Sequence, residues 1–250
     1  NFKKGQPFQE NEFFNEYLQL GGFPNSILAP DADFRNTVLQ DIFNTIMYRD
    51  IALRAQVKND RAISAIAEYL LSEIGNPISA NKIARTLQSN GFKTQTKSVI
   101  TYLDLLEQSF IFYRARRYDI RGKKWLQTLG KYYVVDTGLR NIQLNRSSRD
   151  SLGHQLENIV YIELLRRGYK VDIGNYDNKE IDFIARKGEQ VKYYQVTLQL
   201  PENSTRETDN LIMIPDAFEK IVLSLDQNDV GIVNGVQVKY VLDWLLEEND

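Results

Sequence analysis

Between Leu156 and Leu198 the hydrophobic rhythm passes from a period that suits a helix to one that suits strands, and that change fixes the local architecture. Leu156, Ile159, Val160, Ile162, Leu164 and Leu165 recur at helical spacing until Arg166-Arg167-Gly168 ends the run. Strand-like stretches follow at 170–173, 181–186 and 191–198. A helix that leads into three short strands packs across the sheet those strands make. Three polar positions interrupt the apolar pattern. Glu157 is on the helix, Asp182 comes early in the second strand, and Gln195 and Thr197 are on the third, where a period of two puts them on one face with Tyr193. Helix and sheet therefore carry Glu157 toward Asp182 and Gln195.

Two carboxylates and an amide oxygen are hard ligands of the kind Mg²⁺ takes. A metal held by them activates water and stabilises the charge that develops on a phosphodiester. The order resembles the metal site of Mg²⁺-dependent nucleases of the PD-(D/E)-x-K type. Glu157, Asp182 and Gln195 are the candidate metal ligands, and with Thr197 they are the candidate catalytic set. The pattern departs at its last position, where that chemistry calls for lysine and Thr197 stands instead. Thr197 carries no charge, and Lys192 has the wrong parity for the same face. The site reads as degenerate, with Mg²⁺ as the one cofactor it suggests.

A chain of 250 residues with 42% hydrophobic and 26% charged residues is long enough for two cores. The net charge of −2 gives no global attraction to nucleic acid, so any such binding needs a local basic patch. Without cysteine there is no disulfide, zinc-thiolate site or thiol nucleophile, which fits a reducing cytoplasm. His154 is the single histidine, so no multi-histidine metal site exists. No apolar run approaches the roughly 18 residues of a membrane span, and the start, Asn1-Phe2-Lys3-Lys4, does not read as a signal peptide. The chain does not begin with Met and is read as a piece of a longer protein.

The N-terminal part is helical by spacing: Phe8 to Leu18, Asp33 to Ile51, and Arg61 to Ile74, with breaks at Gly21-Gly22-Phe23-Pro24 and Gly75-Asn76-Pro77. Ser79 suits the cap of a helix through Ala80, Ile83, Ala84 and Leu87. Asn90-Gly91 makes a turn, and Thr94 or Thr96 caps the next helix, whose apolar face is Val99, Ile100, Tyr102, Leu103 and Leu106. Strand-like runs at 110–115 and 131–135 complete a helix, turn, helix and ribbon, the outline of a winged helix-turn-helix. Lys93, Thr94, Gln95, Thr96 and Lys97 then begin the recognition helix. Arg114, Arg116, Arg117, Arg121, Lys123 and Lys124 form a basic ribbon tip opposed by Asp119 alone, interleaved with Tyr113, Tyr118 and Trp125. Cations for phosphates and aromatic faces for bases make Lys93, Thr94, Lys97 and this ribbon the candidate nucleic-acid contacts.

Several segments recur in this order in one family: Gly21-Gly22-Phe23-Pro24, Tyr48-Arg49-Asp50-Ile51, Lys131 to Leu139, Leu156 to Val160, Glu180 to Phe183, and Thr205-Arg206-Glu207 ahead of Asp226. They resemble the C-terminal region of a large prokaryotic family of AAA-type P-loop ATPases. The resemblance implies a winged helix followed by a restriction-endonuclease-like domain of unknown function, with the first 50 or so residues forming the tail of the ATPase lid. It implies an ATPase domain in the same chain as partner, with ATP only in that N-terminal domain; DNA or other nucleic acid is the partner that the basic ribbon suggests. The chain itself has no G-x-x-x-x-G-K-[ST] segment, so it holds no phosphate-cradling loop of that kind.

The resulting expectation is an α/β (α+β) chain in three parts: a helical segment at 1–60, a winged helix at 61–145 and a restriction-endonuclease-like mixed-sheet domain at 146–250. The expected role is a non-catalytic, nucleic-acid-binding and regulatory region of an AAA-type ATPase. The alternatives are a weak Mg²⁺-dependent DNA nuclease and a protein-interaction or homo-oligomerisation module.

Overall fold

The computed structural model describes residues 10–53, 60–127, 129–145, 151–201 and 205–247. They form a mixed α/β chain in two compact units. One holds the described residues up to Arg114 and from Tyr132 to Asn145; the other holds Ala115–Lys131 and those from Ser151 onward.

The first unit begins with α1 (Glu10–Leu20), α2 (Pro24–Ile27) and α3 (Ala32–Thr45). Asp31 caps α3 by accepting from the Phe34 N–H. The long helix expected from Asp33 to Ile51 does not stay α-helical; it widens into π-helical turns over Ile46–Leu53. Next come α4 (Asp60–Ser72), α5 (Ala80–Ser89), α6 (Thr96–Gln108) and β1 (Phe112–Ala115). The chain then enters the second unit, forms β2 (Arg117–Asp119) and β3 (Lys124–Trp125), and returns as β4 (Lys131–Val134) and α7 (Thr137–Leu144). The core gathers one face of each helix, with Ile63, Ile66 and Leu70 of α4 against Ile83 and Leu87 of α5 and Val99, Leu103 and Leu106 of α6.

Ser79 caps α5 as expected, accepting from the Lys82 N–H. Neither Thr94 nor Thr96 caps α6. Gln95 occupies the cap position without a side-chain bond, and the Thr96 hydroxyl reaches back to Asn81 Oδ1 at 2.9 Å. The ribbon of the expected motif forms from β1 and β4. The basic segment between them is not its tip, because β2 and β3 pair as a separate hairpin at the edge of the other unit's sheet.

Two glycine-containing motifs meet in this unit. Asp136 caps α7 by accepting from the Leu139 N–H at 3.1 Å, and its second oxygen accepts from the Gly22 N–H at 2.6 Å. Thr137 and Asn141 donate to the Tyr17 and Leu18 carbonyls, closing the end of α1 that its own helix leaves open. Gly138 is needed because a Cβ there would lie 2.3 Å from the Leu20 carbonyl oxygen.

In the second unit α8 (Leu152–Arg166) precedes β5 (Lys170–Tyr176), β6 (Lys179–Lys187) and β7 (Gln190–Thr197), matching the expected helix and three strands. Then come α9 (Arg206–Ile212), β8 (Glu219–Ser224), β9 (Gly231–Val233), β10 (Val236–Tyr240) and α10 (Val241–Leu246). The eight strands run in the order β3-β2-β5-β6-β7-β8-β10-β9. Pairing is parallel for β2 with β5, β7 with β8 and β8 with β10, and antiparallel elsewhere. No helix forms at Ala217–Lys220. Pro215 precedes a turn in which Asp216 accepts from the Phe218 N–H, and β8 starts at Glu219. The central strands β6 and β8 are buried over most of their length, and α8 buries Leu156, Ile159, Val160 and Leu164.

Candidate functional site

Strand β6 slips register against β5 between Ile181 and Ile184, so Ile181 and Ile184 share one core cluster while Phe183 packs on Tyr161 of α8; Asp182 lies in this irregular stretch, and all four are buried. Helix α8 buries Glu157 within its apolar stretch. Gln195 is buried on β7, where its amide oxygen lies 3.4 Å from the Asp182 N–H. Asp182 Oδ2 accepts from the Val196 N–H at 2.8 Å. Asp182 thus bonds β7 through both its backbone and its side chain. Thr197 lies at the strand end and donates to the Gln199 carbonyl at 2.8 Å, turned to its own chain.

A cation joins these residues from elsewhere in the sequence. Lys131, the first residue of β4, is 5% exposed, and its ammonium lies 2.8 Å from Glu157 Oε1 and 2.8 Å from Glu180 Oε1. Burial alone would lower its pKa, but the carboxylates of Glu157, Asp182 and Glu180 outweigh that and hold it above the usual lysine range. Asp182 goes the opposite way for a carboxyl. Burial and the Glu157 charge push it well above 3.8, against the Lys131 ammonium and the Val196 N–H, and the Glu207 charge on α9 adds to the rise.

Sequence reasoning therefore placed Glu157, Asp182 and Gln195 around one point and missed Lys131, Glu180 and Glu207 as its neighbours. Lys192, Lys170 and Lys187 do not supply the charge. Lys192 pairs with Glu219 at 2.8 Å, Lys187 lies over the Tyr169 ring, and Lys170 is exposed at the start of β5. Among the described residues no group of three or more Asp, Glu, His or Cys is set to hold a metal ion. As arranged, the carboxylates of Glu157 and Glu180 serve the Lys131 ammonium, and Asp182 Oδ2 serves the Val196 N–H.

The hairpin β2–β3 is the second candidate. Arg116, Arg121, Lys123, Lys124 and Trp125 are exposed and Arg117 is half-buried; Arg114 is exposed on β1 in the other unit. Asp172 on β5 organises part of the hairpin. It accepts from Trp125 Nε1 at 3.2 Å and pairs with Arg186 at 2.8 Å, while Arg116 approaches it at 4.0 Å. The Arg116 guanidinium stands 4.8 Å from the Trp125 ring and that of Arg186 4.1 Å from the Tyr118 ring, so cations and aromatics alternate across the surface. Arg121 is taken up by Asp177 at 2.8 Å. Among the described residues Lys123 and Lys124 enter no ion pair. At the start of α6, Lys93, Gln95 and Lys97 are exposed, but Thr94 is buried, so its side chain is directed into the unit and not toward a ligand.

Among the described residues no helix is long and apolar enough to cross a membrane. No solved structure matches the chain. It is 44% identical over 237 residues to an uncharacterised protein of Haemophilus influenzae, covering 95% of this chain and 58% of that protein. It is 28% identical over 226 residues to an uncharacterised protein of Methanocaldococcus jannaschii, covering 88% of this chain and 48% of that one. The chain thus spans about half the length of the curated relatives it matches. Residues 11–150 match the family described as Domain of unknown function (DUF8612), more than half of the chain, and the protein belongs to that family.

Proposed function

We propose that the chain is a nucleic-acid-binding and regulatory region whose nuclease-like acid cluster does not cleave. The observation that carries this reading is the edge hairpin β2–β3. There Lys123 and Lys124 stand exposed and in no ion pair among the described residues, beside Trp125, which is 52% exposed. In a chain of net charge −2 this is a local patch of the kind phosphates require. Trp125 adds a stacking face for an unpaired base.

The finer fold names follow the same support. Helices α5 and α6, the turn at Gly91 and the β1–β4 ribbon favour a winged helix, with Lys93, Gln95 and Lys97 facing outward at the start of α6. The approach of Glu157, Asp182 and Gln195 favours a restriction-endonuclease-like second unit. Placing the chain behind an AAA-type ATPase domain rests on the motif resemblance and on relatives of greater length.

Fluorescence anisotropy of labelled single-stranded and duplex DNA over a salt series tests the proposal. Binding that falls steeply with salt and is lost in Lys123→Ala/Lys124→Ala supports it. No binding at low salt moves the reading to a protein-interaction or oligomerisation module, which a concentration-dependent mass in solution would then show. Cleavage with Mg²⁺ or Mn²⁺ that Asp182→Asn abolishes would replace the non-catalytic reading with a nuclease.

A further inference from the structure

The geometry points to Lys131 as the resident cation of the acid cluster, standing where a nuclease of this arrangement holds a divalent metal and closing the native site to Mg²⁺. The inference rests on reading the second unit as nuclease-like. It concerns what the cluster binds, not what the hairpin binds.

Three observations carry it. The ammonium of Lys131 makes a 2.8 Å contact with each of two carboxylates, Glu157 of α8 and Glu180 of β6, so it ties the helix to the strand that carry the candidate ligands Glu157 and Asp182. Two further candidate ligand atoms are engaged by the protein: Asp182 Oδ2 takes the Val196 N–H, and Gln195 Oε1 faces the Asp182 N–H. The lysine also comes from a distant strand and is buried to 5% exposure, so it is fixed and not a surface side chain that swings in.

The protonation state agrees with this geometry. A lysine that accepts a proton from water needs a pKa near the working pH, which burial without counter-charges gives. Lys131 is instead buried with its counter-charges, 2.8 Å from each of two carboxylates. It supplies charge and does not take a proton. A doubly charged ion brought within bonding distance of the same carboxylates would meet that charge in a poorly solvated site, where repulsion is screened far less than in water.

Mn²⁺ titration followed by electron paramagnetic resonance, together with the melting temperature in Mg²⁺ and Mn²⁺, tests the inference on the whole chain. The wild type is expected to show no saturable Mn²⁺ binding and no shift in melting temperature. Lys131→Met leaves Glu157, Glu180 and Asp182 without their counter-ion. It is expected to bind Mn²⁺ saturably and to melt higher as Mn²⁺ is added, and Asp182→Asn in that background weakens the binding. Lys131→Arg, which keeps the charge, is expected to behave as the wild type does. Saturable Mn²⁺ binding by the wild type that Asp182→Asn removes would overturn the inference, as would a folded Lys131→Met that gains no Mn²⁺. If Lys131→Met does not fold, the wild type and Asp182→Asn titrations decide it. DNA binding stands or falls separately, so a failure here leaves the hairpin reading in place.

Discussion

The ammonium of Lys131 sits 2.8 Å from Glu157 Oε1, with both side chains nearly closed to solvent. A buried pair of this kind is costly to break on one side, because the surviving charge keeps its desolvation penalty and loses its partner. Lys131→Met should therefore destabilise the fold by about 3–5 kcal/mol. The double variant Lys131→Met/Glu157→Gln should cost less than the sum of its parts, since neither charge is then left alone. Urea denaturation of the four proteins measures that coupling, and strict additivity would show that the pair contributes nothing jointly.

Asp182 gives the cluster a dependence on pH. Its carboxyl is held well above 3.8 in the fold, so over the interval between that value and the folded pKa the native state keeps a proton that the unfolded chain has lost. The native state then binds more protons, and stability falls as pH rises through that interval. Asp182→Asn keeps an oxygen for the Val196 N–H and removes the titration. It should match the wild type near pH ~4, close to the ordinary carboxyl range, and exceed it at neutral pH. Denaturation midpoints over that span check this; a variant weaker than the wild type at neutral pH would mean the fold uses the anion.

Two glycines separate steric need from backbone need. At Gly138 a Cβ would press on the Leu20 carbonyl at 2.3 Å, a backbone atom with no room to yield. At Gly91, with φ of +86°, a Cβ would meet nothing within 4 Å. Gly138→Ala should cost about 1–3 kcal/mol or more through overpacking, and Gly91→Ala about 1–2 kcal/mol through the left-handed backbone alone. Thermal unfolding ranks the two, and the reverse order would contradict the account of how α1 is closed.

The hairpin should show its chemistry in the form of its salt dependence. Each lysine that neutralises a phosphate adds roughly 0.7–0.9 to the slope of log affinity against log salt, so Lys123→Ala/Lys124→Ala should flatten it by about twice that. Trp125→Ala should leave the slope and weaken single-stranded DNA by about 1–3 kcal/mol, with a smaller effect on duplex. Equal losses on the two ligands would exclude base stacking there.

The elements were legible where one residue's neighbours in sequence are also its neighbours in space. The α5 cap at Ser79, the turn at Gly91 and the helix before three strands all follow from local rules. Lys131 was not legible for a definite reason. All four residues of β4 are buried, so alternation along Lys131-Tyr132-Tyr133-Val134 does not say which way the lysine points. Its partners Glu157 and Glu180 lie far along the chain, and the position at which the nuclease pattern calls for a lysine is Thr197. The basic segment was misplaced for a similar reason. Its pairing with β5, Arg117 with Ile173, is parallel and non-local, so nothing within the segment announces it.

The excursion of Ala115–Lys131 into the second unit's sheet has a consequence for dissecting and building the molecule. No single cut yields two whole parts. A piece ending at Arg114 loses β4 and α7, whose Asp136 secures Gly22, and a piece starting at Ser151 loses two strands and the lysine of the acid cluster. The family match at residues 11–150 likewise takes in β2 and β3 but stops before β5, against which β2 lies. During synthesis the hairpin emerges well before β5 and must wait for it, so this edge of the sheet closes only after a long stretch of chain has been made, and folding should be slower than the helical first unit alone would suggest.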